Sequence, residues 1–271
     1  MAQKPHDDSH AIQIQAGISG RKAGHKFEDK IADIVNKLNY PIYFDTSIET
    51  HVNIGNPAYL LLNYIASTYN QSQIVNCQAF STGALATCEE GRSWLSINGV
   101  GIKKSKSDLI LNTLFKDKEI TVGVSIKQCN NKTPTNAQLF FTTANGFSTL
   151  LIKNGIKVSD IAIKSMRQFC GEKGFRPLDS KELLLNRQTD PRRFFWEEID
   201  QEGKKEWEEI FAAYQGVITK LLLQKAYIDD AYPPDFLLHK TKRALDFEET
   251  EVALYTIPEI QSHSCTYQPF Y

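Results

Sequence analysis

Two apolar runs separated by a short polar segment constrain the fold of this chain more than any other feature of the sequence. Residues 108–115 and 120–127 are rich in Leu, Ile and Val, and the four residues 116–119 between them are all charged. A connection this short joins antiparallel strands, because a parallel crossover needs about a dozen residues or more. The sequence therefore predicts a β-hairpin over residues 108–127.

The alternation of side chains along a strand predicts which residues of the hairpin share a face. Residues two apart point the same way, so Ser125 and Lys127 lie on one face and Asp108 and Ile110 share a face of the partner strand. Gly123 is expected to leave a gap beside the polar pair. Val122, Val124 and Ile126 are expected to face the core, and Leu109 and Leu111 share the face of their strand opposite to Asp108 and Ile110.

The register of the hairpin decides which polar residues meet. If the turn is centred between Asp117 and Lys118, Asp108 lies directly across from Lys127 on the same face. Their Cβ atoms would then be about 4.5–5.5 Å apart. A carboxylate and an ammonium at this distance can address one metal-bound phosphate.

Phosphodiester hydrolysis is the chemistry that this pair of charges suits. A carboxylate and a backbone carbonyl can hold a hard divalent cation, for which Asp108 and the carbonyl of Ile126 are the candidates. The Lys127 amine can orient or deprotonate the attacking water. The alternative is that an Asp and an edge Lys on a Val/Ile strand serve solubility alone, which is common in sheets.

Helical periodicity accounts for much of the remaining chain. A helix is predicted from the apolar stripe of residues 27–38, and Glu28 lies beside that stripe. Further helices are predicted over residues 57–70, around 138–153 and 158–170, and through a long amphipathic segment containing Trp207.

The combined pattern resembles a known family of nucleases. Ser107-Asp108, an apolar strand, a polar turn, a second apolar strand and Ser125-Ile126-Lys127, preceded by the helix with Glu28, resemble the PD-(D/E)XK nucleases. More narrowly, they resemble the MspI-like type II restriction endonucleases and their relatives that cut GC-rich four-base sites. In that subgroup a neutral polar residue replaces the acid two positions before the lysine, as Ser125 does here. Residues 163–172 and 190–199 are similar to segments that follow the active site in these enzymes, so the resemblance covers about residues 17–260.

This resemblance implies both a fold and an activity. The fold would be α/β, with a restriction-endonuclease-like mixed β-sheet core flanked by helices. It would form a single domain over residues 1–271, with a flexible N-terminus at 1–16 and a C-terminal helical, DNA-contacting portion at 180–271, although length alone also allows two closely packed domains. The activity would be Mg²⁺-dependent hydrolysis of double-stranded DNA at a short palindromic site, with a DNA methyltransferase as functional counterpart. Glu28 would then supply the metal-binding carboxylate that position 125 lacks.

Net charge limits how such a protein could bind DNA. The formal charge is −1 and the pI is near 6.6, so DNA contacts must come from local clusters of polar and basic residues. Residues near the hairpin could meet phosphates or bases, and the arginines of a later loop could read guanine edges. The alternative for each of these residues is that it belongs to a solvated surface and does not contact DNA. The candidates are Lys103, Lys104, Lys106, Gln128, Asn130, Asn131, Lys132, Arg187, Arg192 and Arg193.

Cysteine spacing and hydropathy point to the cytoplasm. The five cysteines show no CxxC or Cys/His metal spacing and are expected to be reduced thiols. No stretch approaches the roughly 20 apolar residues that cross a bilayer, and the first ten residues are polar rather than signal-like. His25, His51 and His239 are isolated in sequence, and no catalytic role is expected of them.

Two other functions remain compatible with the sequence. A repair or recombination nuclease on the same scaffold would recognise DNA structure instead of a sequence. A DNA-binding module without catalysis could keep the scaffold, given the serine at position 125. The sequence leaves the oligomeric state open, because a palindromic target favours a dimer whereas members of the subgroup resemble monomers on DNA.

Overall fold

The structure is a computed structural model in which the chain divides into two compact units. It describes residues 25–44, 50–82, 96–102, 105–134, 142–185, 189–224 and 230–266. Unit 1 comprises residues 1–138 and 228–257, and unit 2 comprises residues 139–227 and 258–271. The single restriction-endonuclease-like domain predicted over 1–271 stays a prediction, and the N-terminal segment 1–16 lies outside the described residues.

Unit 1 is built on a mixed β-sheet of seven strands. The strands of this unit are β1 (Ile42–Tyr43), β2 (Val52–Gly55), β3 (Gln73–Ser81), β4 (Ser96–Ile97), β5 (Val100–Gly101), β6 (Leu109–Phe115), β7 (Glu119–Gln128), β8 (Pro234–Lys240) and β9 (Thr250–Thr256). The seven-stranded sheet has the order β1-β3-β6-β7-β8-β9-β2, and β4 pairs with β5 separately. Neighbours in the large sheet are antiparallel except β7 and β8, which are parallel.

Helices cover one face of this sheet. Residues 25–37 are helical (α1), and α2 spans Pro57–Thr68. Helix α2 begins where it does because the side chain of Asn56 accepts a hydrogen bond from the Ala58 N–H and Pro57 occupies the first turn, where its missing N–H costs nothing. Apolar residues of both helices pack against the sheet in one core, among them Ile31, Val35, Leu61, Ile65, Val124 and Leu238. The predicted α/β class, with helices flanking a mixed sheet, is therefore confirmed.

The predicted hairpin is present, but its register differs from the prediction by two residues. The Phe115 N–H donates to Lys118 O at 2.8 Å, so the turn is centred between Lys116 and Asp117. Leu109 pairs with Val124, which places position 108 across from position 125 instead of 127. The predicted register is wrong because four consecutive charged residues give no signal for the centre of the turn. A shift of two preserves the alternation, so Asp108 and Lys127 still share a face.

The predicted core-facing residues of the hairpin are confirmed, whereas the predicted gap at Gly123 is wrong. Val122, Val124, Ile126, Leu109 and Leu111 all belong to the large core. A Cβ on Gly123 would lie 2.2 Å from Ser107 Oγ, 2.5 Å from Pro233 O and 2.8 Å from Tyr232 O. Glycine is thus required because two chain segments press against the strand at this point.

Strands β8 and β9 were not predicted from the sequence. They follow Pro233 and the turn around Asp246, and β8 aligns in parallel with β7 so that Lys127 pairs with His239. The carboxyl ends of two parallel strands meet at the same end of a sheet. The residues after Lys127 and after His239 therefore lie together.

Unit 2 is helical in its described part. Its helices are α3 (Ala144–Lys153), α4 (Asp160–Phe169), α5 (Lys181–Leu185), α6 (Gln201–Gln224) and α7 (Ile257–Thr266), the last beginning at the end of unit 1. Three of these lie where helical periodicity predicted them. Trp207 is fully buried and stacks on Phe147 with ring centroids 5.7 Å apart. No helix in the described ranges combines the length and apolarity that a membrane span requires.

Candidate active site

Asp108 lies one residue before β6, beside the end of β7 that extends past its neighbour. Its backbone N–H donates to Val124 O at 2.8 Å, and its carbonyl accepts from Thr82 N at 3.1 Å. In the side chain, Oδ2 accepts from the Ile126 N–H at 2.5 Å and from Ser125 Oγ at 3.3 Å. The other oxygen, Oδ1, accepts no hydrogen bond from any residue that the structure describes. One oxygen thus orients the carboxylate, and the second is left for a ligand.

Lys127 brings its ammonium to the same place. Its Nζ lies 3.4 Å from Asp108 Oδ2 and 3.0 Å from Ile126 O, and both charged side chains are partly buried. The Lys127 ammonium therefore contacts both a carboxylate oxygen of Asp108 and the backbone carbonyl of Ile126. The structure brings together the three residues Asp108, Ile126 and Lys127 that the sequence singled out.

Glu28 places a second acidic side chain beside this pair. It is carried by α1, is only 6 % exposed, and its Oε2 lies 3.2 Å from His25 Nδ1. The pKa of Glu28 is raised to about 8, chiefly by burial and next by the negative charge of Asp108, and Lys127 opposes the shift. The two acids are therefore close enough to repel each other, and near neutral pH Glu28 retains its proton unless a cation compensates.

Lys106 belongs to the same electrostatic environment. The pKa of its amine is lowered to about 8, chiefly by burial and next by the charge of Lys127, and Asp108 acts in the opposite direction. The sequence predicted that Lys106 contacts phosphates near the cut, and this stays a prediction. Its charge interacts with those of Asp108 and Lys127.

His239 also lies at the site, although the sequence predicted no role for it. It pairs with Lys127 across the parallel strands β7 and β8, so the two side chains share a face of the sheet. Burial, and then the charge of Lys127, lowers the pKa of His239. Its Nε2 is buried and has no hydrogen-bond partner among the residues that the structure describes. No sequence signal could reveal this residue, because its closeness to Lys127 depends on a strand pairing between distant segments.

The other predicted DNA contacts lie in several segments of the chain. Lys103, Lys104 and Arg187 lie outside the described residues. Gln128 ends β7, and Asn130, Asn131 and Lys132 are exposed directly after it. The Arg243 N–H donates to Asn131 O at 2.8 Å, and Lys240 Nζ donates to Asn130 Oδ1 at 3.2 Å, so the segments after β7 and β8 run side by side.

The predicted arginines at 192 and 193 belong to unit 2. Arg192 is mostly exposed and makes two hydrogen bonds of 3.0 Å to the carboxylate of Asp190. The guanidinium of Arg193 lies over the rings of Phe195 and Phe169, 5.7 and 6.0 Å from their centroids. Arg192 is thus held by its own loop, and Arg193 contacts Phe195 of that loop and Phe169 at the end of α4.

The oxygens at the site suit magnesium better than a metal that needs a full set of side-chain ligands. The described residues contain no group of three or more His, Cys, Asp or Glu side chains that could hold a metal. The available donors are Asp108 Oδ1, the Ile126 carbonyl and Glu28. Mg²⁺ commonly keeps several waters and is held through one or two carboxylates, which is what these residues could provide. A bound cation would also relieve the repulsion that raises the pKa of Glu28.

Searches against protein-family models and against curated proteins found no match to this chain. The likeness to PD-(D/E)XK nucleases therefore rests on the residues quoted above. What the site can do follows from its own geometry and chemistry.

Proposed function

We propose that this protein is a Mg²⁺-dependent endonuclease of the PD-(D/E)XK type, acting on double-stranded DNA as a type II restriction enzyme. The observation that carries the proposal is the position of the Lys127 ammonium, 3.4 Å from the Asp108 carboxylate and 3.0 Å from the Ile126 carbonyl. An acid, a carbonyl and an amine that converge at one sheet end are the groups that hydrolysis of a phosphodiester requires.

Each residue of the site would have the role in hydrolysis that its chemistry allows. Asp108, the Ile126 carbonyl and Glu28 would hold Mg²⁺, which when bound polarises the phosphate and lowers the pKa of a water. Ser125 would hold the Asp108 carboxylate in place through its buried hydroxyl. Lys127 would orient the attacking water and stabilise the negative charge that develops on the phosphate.

Lys106 adds a positive charge that interacts with the charges of Asp108 and Lys127. A second amine near Asp108 and Lys127 favours an anionic substrate over a neutral one. The site is therefore suited to a phosphodiester backbone. A restriction enzyme would act in the cytoplasm, and a DNA methyltransferase would be its functional counterpart.

A digest of mixed DNA with and without Mg²⁺ tests the proposal. Discrete fragments that depend on Mg²⁺ would support a restriction enzyme. A smear would instead support a nuclease that ignores sequence, such as a repair or recombination enzyme on the same scaffold. The Asp108→Asn variant, prepared in parallel, controls for contaminating nucleases because it should leave the DNA intact.

A non-catalytic DNA-binding module is the second candidate, and one observation favours it. The Lys127 ammonium contacts the Ile126 carbonyl and the carboxylate of Asp108, both of which a cation would need, although through Oδ2 of Asp108. Position 125 carries a hydroxyl instead of a carboxylate. Such a site could keep its fold through an internal ion pair and never bind metal. Intact DNA at every Mg²⁺ concentration, together with measurable DNA binding, would establish this candidate and overturn the nuclease.

A further inference from the structure

The segment that leads into Asp108 is attached to a single carboxylate far away in sequence. Asp230 Oδ2 accepts hydrogen bonds from Ser105 Oγ at 2.9 Å and from the Lys106 N–H at 2.5 Å. Its other oxygen, Oδ1, accepts from the Tyr232 N–H at 3.1 Å, which fixes the carboxylate at the start of its own turn. Asp230 therefore joins the residues before β6 to the residues before β8.

A second set of contacts continues this attachment as far as Asp108. Ser107 is 1 % exposed, its Oγ donates to Tyr232 O at 2.7 Å, and its N–H donates to Ser105 Oγ at 3.1 Å. The hydroxyl of Thr82 donates to Ser107 O. Residues 105–107 thus have their polar groups paired with fixed partners, and Asp108 follows directly.

Both segments cross β7 at Gly123. The Ser107 hydroxyl and the Tyr232 carbonyl occupy the space that a Cβ of Gly123 would need. The contact is possible only because position 123 has no side chain. Strand β7 carries Ser125 and Lys127. The contacts at Gly123 therefore fix the position of Asp108 relative to the strand that carries the other groups of the site.

Regular pairing alone does not fix the Asp108 side chain. Strand β6 begins at Leu109, so Asp108 stands at a strand end, where its backbone is hydrogen-bonded to Val124 and Thr82 and its orientation also depends on the preceding residues. From these contacts we infer that Asp230 is a positioning residue: it acts through residues 105–107 to aim the Asp108 carboxylate at Ile126 and to present Lys106 beside it. Its role in catalysis rests on the proposed function, whereas its role in positioning Asp108 is independent of it.

Residue-resolved hydrogen exchange by NMR tests the positioning directly. The Ile126 N–H is protected by Asp108 Oδ2, and the Lys106 N–H by Asp230 Oδ2. In Asp230→Ala both amides should exchange several-fold faster than in the parent. The Ala79 N–H, which the Asn36 side chain protects at 2.8 Å in the same unit, should not change. Asp246→Ala is the matched variant, because Asp246 Oδ1 accepts from the Glu248 N–H in a similar turn without contacting residues 105–107.

Binding of Mn²⁺ by the protein alone, followed by its electron paramagnetic resonance, gives a second readout. Loss of a residue that orients a metal-binding carboxylate typically weakens metal affinity by about tenfold or more. Asp230→Ala should show this loss, and Asp246→Ala should not. Ser105→Ala removes the two hydrogen bonds of the Ser105 hydroxyl and leaves Asp230 in place. The same measurements are made on this variant if Asp230→Ala does not fold.

The outcomes separate the inference from the proposed function. Faster exchange at Ile126 with unchanged exchange at Ala79 supports the positioning role, even if the parent protein fails to cut DNA; that failure would overturn only the nuclease. Parental exchange at Ile126 in a folded variant overturns the inference. Equal acceleration at all three amides also overturns it, because Asp230 would then stabilise unit 1 as a whole.

Discussion

Asp108 and Lys127 form an ion pair whose geometry leaves one carboxylate oxygen available. Three donors converge on Asp108 Oδ2, from Ser125, Ile126 and Lys127, and none of the described residues donates to Oδ1. A purely structural ion pair at a surface contributes little to stability, about 0–1 kcal/mol. The proposed function assigns this second oxygen to the cation.

Removing either charge should abolish cleavage and leave DNA binding. Asp108→Asn keeps the shape but weakens cation binding, and Lys127→Met removes the group that orients water; each should slow single-turnover cleavage about 10²–10⁴-fold. Lys37→Met is the control, because Lys37 pairs with Asp33 on the exposed surface of α1. Thermal unfolding must show that each variant is folded. A folded Lys127→Met protein that cuts like the parent would contradict the proposed function.

Burial of Glu28 predicts a pH dependence of stability in metal-free protein. Its pKa is about 8 in the folded chain and 4.5 as the ordinary value. Below pH 4.5 both states bind the proton, and between pH 4.5 and 8 only the unfolded state releases it. The free energy of unfolding should therefore fall as pH rises through this window and level off above it.

The Glu28→Gln variant isolates this effect because glutamine carries no charge in either state. In urea unfolding with chelator, the variant should match the parent near pH 4.5 and exceed its stability at pH 8 by up to several kcal/mol, at about 1.4 kcal/mol per pKa unit. It should also lose cleavage more than DNA binding. Parallel stability curves for variant and parent would show that Glu28 titrates normally.

At this scale the sequence predicted the charged residues of the site better than their neighbours. Asp108, Lys127 and Glu28 could be found because their spacing resembles a family pattern. His239 and Asp230 could not, since each reaches the site through pairing or hydrogen bonds with residues that are distant in the chain. Local sequence carries no information about such contacts.

The hairpin shows which features of a secondary-structure element can be predicted from periodicity alone. Alternation predicted correctly which residues of β7 face the core and which residues of β6 share a face, because burial selects apolar side chains on one face. The turn was placed one residue too late, because four charged residues fit several turn positions equally well. Helices α3, α4 and α6 were predicted because their apolar residues recur at helical spacing. Strands β8 and β9 were not predicted because their sequences lack a clear alternation of apolar and polar residues.

Gly123 gives a prediction that concerns the packing of whole segments onto β7. In Gly123→Ala the new Cβ would meet two backbone carbonyls closer than van der Waals contact allows, and backbone yields less easily than a side chain. The variant should lose about 1–3 kcal/mol or more of unfolding free energy in urea. Gly101→Ala is the matched control, because nothing lies within 4 Å of its Cβ position. Equal stabilities of the two variants would show that residues 107 and 232 can move apart freely.

For the whole molecule, the sequence predicted the α/β class but not its division into units. The mixed sheet with helices on it was expected from the family resemblance, and unit 1 has that architecture. Unit 1 takes its last strands from residues after the long helix α6, so the chain leaves and re-enters it. Composition could not reveal this, because both units have ordinary apolar cores. The candidate chemistry lies in unit 1, whereas Arg192 and Arg193 lie in unit 2.

This division predicts that DNA recognition and hydrolysis can be separated by mutation. Arg192→Ala and Arg193→Ala should weaken binding to the cognate site by about 1–3 kcal/mol if either reads a guanine, since a bidentate contact discriminates by that amount. If they contact only phosphate, the loss should be uniform across sequences and the salt dependence should fall by about one unit of slope. Cleavage at saturating DNA should stay near the parental rate, because Asp108 and Lys127 are untouched.

The matched control for these arginines is Arg176→Ala. Arg176 also makes two hydrogen bonds to one carboxylate in unit 2, of 3.0 and 2.8 Å to Asp179, but it was not predicted to contact DNA. Because Arg192 is already held by Asp190 in the free protein, a guanine would have to replace that carboxylate. Asp190→Asn should therefore strengthen binding if Arg192 reads a base, by removing the competing partner. Parental affinity in Arg192→Ala, Arg193→Ala and Asp190→Asn across several salt concentrations would exclude the loop from DNA recognition, and Asp108→Asn would still test the chemistry of unit 1 independently.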